Sequence, residues 1–244
     1  FTAKVKNAED DQLIGTLDYP AIIGAPISAT LPSGAPQFTA ISDGTPSSTG
    51  ATKFTGVVPI TLNGADVIKS VPKDCVTMDT SSSGSVVFST ITVDKVEKSA
   101  TGLDVTVSVT TGAIGGVWSE NSPVPASSEG KLPNISIDTS KFQLAEDTLG
   151  WYLPSGTLKL GDMTVEVLTP AFTGVEHADD STTGKQTFTI HTQNMPENAK
   201  VEVALAKTNV NAASVENDSG TIKATATRGD DGKYSVTFDE SAFK

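Results

Sequence analysis

The side chains with a claim to chemistry are few, and their spacing limits what each can do. His177 and His191 are the only two histidines. Neither has a second His or Cys at ligand spacing, so no zinc-type site forms from sequence neighbours. His191 is out of phase with Phe188 and Ile190, so a continuous strand would point it away from their face. Carboxylates gather at Glu9-Asp10-Asp11, at 176–180 (Glu-His-Ala-Asp-Asp) and at Asp230-Asp231. Calcium takes roughly six to eight oxygens from flexible acidic loops, and 176–180 is the best placed of the three, read as a loop. None has the spacing of the helix-loop-helix calcium site. A glycosidase needs two carboxyls about 5 to 9 Å apart in a cleft, which no spacing here specifies. Gly-x-Ser-x-Gly, Gly-x-Gly-x-x-Gly, the P-loop and His-Glu-x-x-His do not occur. The chain reads as a non-enzyme, with no catalytic residue, metal or cofactor assigned.

Binding chemistry has a better claim. Trp118, Trp151 and Tyr152 would stack on sugars if exposed and would anchor a core if buried. Arg228-Gly229-Asp230 matches an integrin tripeptide, yet Asp-Gly at this place has its own role in a hairpin turn. Asn134-Ile135-Ser136 and Asn217-Asp218-Ser219 fit the glycosylation sequon. Cys75 is the single cysteine, which excludes an internal disulfide.

The elements that must carry these residues are strands. Of 244 residues, 37% are hydrophobic and 19% charged; Ser, Thr, Gly and Asn make up the balance, which favours strands and turns. Val87, Ser89, Ile91 and Val93 alternate as one strand, and Leu103, Val105, Val107 and Val109 as the next, with a turn at 97–102 between them. Asn63-Gly64 and the 228–233 stretch read as two more hairpin turns. Short alternating runs continue to Tyr234, Val236 and Phe238. No sustained helical period occurs. The expected fold is all-β, a β-sandwich with immunoglobulin-like or jelly-roll topology. The Gly/Pro-rich break at 112–132 suggests two tandem sandwiches, 1–125 and 126–244, with one large β domain as the alternative.

Net charge is −12 and Arg228 is the only arginine, which excludes nucleic acid as a partner. No apolar run approaches the ~20 residues that span a bilayer, so membrane insertion is not expected. A chain that opens at Phe1 rather than Met, with this composition, reads as a mature secreted protein, extracellular or on a cell surface.

At the start of the chain Phe1, Ala3 and Val5 alternate with Thr2, Lys4 and Lys6 and then meet a polar stretch. Such a strand can pair at home, or leave to fill the edge of a neighbouring copy. This pattern resembles subunits of bacterial or archaeal surface filaments that assemble by strand donation; the likeness covers the first dozen residues and the general composition. It implies a structural, pilus-like subunit that polymerises through Phe1, Ala3 and Val5, its partners being copies of itself. The alternatives are an adhesin or carbohydrate-binding sandwich, with a host glycan or surface receptor as partner, and a virion capsid or decoration protein.

Overall fold

Alternating β-branched and aromatic residues dictate the elements. A computed structural model describes residues 2–6, 9, 13–18, 24–41, 52–79, 84–112, 124–146, 150–206 and 221–239; within them lie nineteen strands and three single-turn 3-10 helices. The first eight strands are β1 (Thr2–Lys6), β2 (Leu13–Asp18), β3 (Ala25–Pro26), β4 (Ser28–Thr30), β5 (Gln37–Ala40), β6 (Thr52–Asn63), β7 (Ile68–Ser70) and β8 (Val76–Thr77). Next come β9 (Phe88–Lys98), β10 (Gly102–Thr111), β11 (Ser127–Asp138), β12 (Gln143–Leu144), β13 (Trp151–Tyr152) and β14 (Thr157–Leu168). The last five are β15 (Ala171–Asp180), β16 (Lys185–Gln193), β17 (Val201–Ala206), β18 (Thr221–Arg228) and β19 (Tyr234–Asp239). The protein is all-β and sandwich-like, as expected.

β9 and β10 form the expected hairpin, closed by the Ser99 N–H donating to Gly102 O at 2.8 Å. On β10, Leu103, Val105, Val107 and Val109 are fully buried. On β9 Ile91 and Val93 pack on the core as the alternation predicts, but the stretch before them changes phase. Val87 is exposed while Phe88 is buried, because the register shifts between Thr110 and Thr111, next to Phe88. The extra residue of such a bulge puts the side chains on its two sides in opposite phase.

The larger sheet has the order β8-β11-β14-β5-β6-β10-β9, with β4 also paired to β6. Its neighbours are antiparallel except β14 and β5. The β9 end of this sheet then meets β11, the strand next to its other end. Val86, just before β9, bridges Gly130 of β11, and its N–H donates to Glu129 O at 2.9 Å. Ser85 Oγ donates to Glu129 O at 2.7 Å and accepts from Glu129 N at 3.2 Å. Rolled in this way, the sheet faces itself across one core, which runs from Ile27 to Val167. Phe88 packs against Gly130 at the seam; a Cβ there would sit 2.2 Å from the tip of the ring.

This core corrects two expectations. The boundary placed after residue 125 falls inside the sheet, since β11 pairs with β8 and β14 with β5. The loop-rich stretch before β11 marks a change of partner strand within one unit, because sheet pairing joins residues distant in sequence. A second, separate core begins after Thr169 and Pro170 and holds Ile190, Val201, Ala226, Tyr234, Val236 and Phe238. The Asn63-Gly64 turn also fails as a hairpin: β6 and β7 do not pair, and β7 instead takes β12. Gly64, at φ 81°, starts a 3-10 turn under the Trp151 ring, so its positive φ serves a close approach.

The second unit is a five-stranded antiparallel sheet, β15-β16-β19-β18-β17. β18 touches β19 only through Thr227 and Arg228 and otherwise pairs with β17. The β17–β18 ribbon thereby brings Val201, Val203, Leu205, Ile222 and Ala224 against the core residues of β16 and β19 as a second layer. The expected turn joins β18 to β19: Gly229 N donates to Lys233 O at 2.8 Å, Gly232 N to Gly229 O at 3.0 Å.

If Phe88 over Gly130 closes the larger sheet, Gly130→Ala lowers stability by about 1–3 kcal/mol in chemical denaturation. Gly34→Ala, with nothing near the new methyl group, stays within about 0.5 kcal/mol of the parent. Equal effects at the two positions would remove the seam from this account.

Candidate functional site

The chemistry-bearing residues do not converge. The 176–180 stretch expected to form an ion loop is part of strand β15, and strand alternation puts Glu176 and Asp180 on one face and Asp179 on the other. Among the described residues no group of three or more His, Cys, Asp or Glu could hold a metal ion. His191 points away from Ile190, as the phase predicts, and its Nε2 lies 3.1 Å from Glu176 Oε1. His177 stacks on Phe188 with ring centroids 4.8 Å apart and bonds Gln186.

Trp118 lies outside the described residues, as do Phe1 and Asn217. Trp151 and Tyr152 are half-buried on β13, beside Ala25 and Pro26 of β3. Trp151 packs on the larger core and covers Gly64. Asn134 is exposed at the register break of β11, in the left-handed region at φ 49°, where its N–H donates to Asp162 Oδ1 at 2.9 Å. Arg228 lies over the Tyr234 ring, 5.9 Å from its centroid, and donates to Pro196 O at 3.4 Å. A polar recess of about 430 Å³ beside it takes in Thr173, His191, Asn194 and Lys233, but Lys233 faces Asp231 at 3.9 Å. The cations of that recess are already engaged.

The feature sequence reasoning missed is the inner face of β15. Directly opposed residues across a sheet share a face. The register runs Val175, Ile190, Tyr234 in one row and His177, Phe188, Val236 in the next. Burial falls away along each row: Tyr234 is 1% exposed, Ile190 5% and Val175 53%. Val236 is buried, Phe188 half-buried and His177 exposed. Phe172 pairs with Thr192 on that same face and is 44% exposed. The β17–β18 layer therefore covers β19, part of β16, and stops short of β15. Among the described residues β15 has no strand on its outer side, and a strand with an open core face and a free edge is a site for another strand. The exposed valine had no sequence signal, since burial here depends on where a distant ribbon ends.

The N-terminal strand is the other unusual element. β1 pairs antiparallel with β2, Ala3 opposite Leu17 and Val5 opposite Gly15, and this pair joins neither larger sheet. An isolated two-stranded sheet is marginally stable at best in water. Lys4 and Lys6 are exposed.

Cys75 is fully buried, and desolvation pushes its thiol up to about 11. The native protein at pH 8 is therefore expected to resist thiol reagents and to label fully once unfolded; rapid labelling of the folded chain would contradict this burial. The turn after β15 gives a second test. Asp180 accepts from Thr183 Oγ1 at 2.6 Å and Thr182 N at 3.0 Å, which holds its carboxyl below the ordinary 3.8 against some desolvation. A depressed carboxyl stabilises the fold above that ordinary value and loses the contribution as pH falls through the folded one. In a carbon-detected NMR titration Thr183→Val should move the Asp180 midpoint upward; no movement would remove the hydroxyl as the main cause.

No protein-family model matches the chain, and no curated protein and no solved structure matches it either.

Proposed function

We propose that the protein is a structural subunit of an extracellular or cell-surface assembly, joining copies of itself by donating its N-terminal strand. The observation that carries this reading is that, among the described residues, β1 and β2 pair only with each other and join neither larger sheet. A two-stranded ribbon gains little by staying paired with itself, so exchange for a place at the edge of a full sheet is thermodynamically cheap. Sequence supports the same reading. Ala3 and Val5 fall on one side of the strand and Lys4 and Lys6 on the other by period two, which is the pattern that seats alternate residues on a neighbouring sheet. The net charge of −12 keeps free subunits apart until a specific contact forms.

Electron microscopy and light scattering on the purified chain, beside a chain lacking residues 1–7, test the proposal. The full chain is expected to give filaments or large particles and the shortened chain monomers. Monomers from both, or assemblies from both, would overturn it.

A further inference from the structure

We infer that the acceptor of the donated strand is the free edge of β15, residues 174–180, in a second copy of this chain. The inference rests on the strand-donation reading and adds the partner surface to it. Three features of β15 carry it. Its core face is open, with Val175 at 53% exposure beside the nearly buried Ile190. The register break between Phe172 and Gly174 limits continuous pairing to the stretch beyond it, which is about the length of the five-residue β1. Its charge is negative throughout, from Glu176, Asp179 and Asp180, all exposed.

That charge selects the occupant. Two β15 edges brought together would oppose carboxylate to carboxylate, which disfavours self-pairing of this edge. A strand carrying lysines on one face is favoured, and β1 carries Lys4 and Lys6 with no acid. Antiparallel addition with Val5 opposite Val175 places Lys4 opposite Glu176 and Ala3 opposite His177. In that register Ala3 and Val5 extend the His177–Phe188 and Val175–Ile190 rows, and the lysines lie on the outer face. Glu176 keeps 71% of its side chain exposed despite His191, so it is available to a lysine. Other edges serve less well. On β17 the inner residue Val201 is already 3% exposed, and Glu202 is 3.6 Å from Lys223. Exposed Val57 is on β6, which has neighbours on both sides.

The test mixes two singly substituted full chains under mild oxidation, an affinity-tagged Val5→Cys and an untagged Val175→Cys, with the parent as a blank for buried Cys75. Only an intermolecular contact can link tagged to untagged chain. The expected product is a disulfide-linked tagged–untagged dimer, absent when Val57→Cys replaces Val175→Cys. Assembly of the parent without this product would overturn the β15 assignment and leave strand donation standing. No assembly of the parent at all would overturn both. A separate variant, Val175→Lys, adds a charge where the free subunit is open to water, so circular dichroism should match the parent. Its assembly should require at least about tenfold more protein, a cost of 1.4 kcal/mol or more per contact. Unchanged assembly by this variant would also overturn the assignment.

Discussion

A strand puts every second side chain on the same face, so an apolar sheet face is unstable until something covers it. The two units of this protein meet that constraint differently. The larger sheet covers itself, rolling until Val86 reaches Gly130 and enclosing residues from Ile27 to Val167. The smaller sheet folds its own β17–β18 ribbon over β16 and β19. That two-stranded cover stops short of β15, where Phe172 and Val175 stay exposed.

The closed unit and the open one therefore differ in what they can do. Inside the larger sheet, side chains pack closely, as Phe88 does on Gly130. Ion pairs on it are local, joining Lys141 to Asp74 at 2.8 Å and Lys131 to Asp162 at 2.9 Å. The open unit holds both histidines and the acidic strand, yet alternation distributes them over two faces. What remains is an edge with shape and charge, suited to main-chain recognition.

How much of this was legible in the sequence depended on range. Leu103 to Val109 announced a buried strand because its alternation is local and unbroken, and the turns at 99–102 and 229–232 announced themselves by composition. Val87 misled because one bulge beside Phe88 reverses the face, and a bulge leaves little trace in hydrophobic pattern. The 112–125 stretch has loop composition, but only the pairing of β14 with β5, more than a hundred residues apart, shows that no unit ends there. Asn63-Gly64 carried a true signal for positive φ and a false one for a hairpin, since Trp151 uses the same glycine. The acids at 176–180 looked like a loop because polarity alone does not distinguish a loop from an uncovered strand.

The passage from β14 to β15 has a mechanical consequence. Only Thr169 and Pro170 separate the two strands, and Asn194 ties the corner by donating to Ala126 O at 2.8 Å and Thr169 O at 3.2 Å. Tension applied along β15 therefore enters β14 at its Leu168 end. There the ladder to β11 extends from Ser127 opposite Leu168 to Asp138 opposite Thr157. Its hydrogen bonds lie perpendicular to the strands, so a pull along β14 against the Asp138 end of β11 loads the ladder in shear, and its bonds share the force instead of opening one after another like a zip.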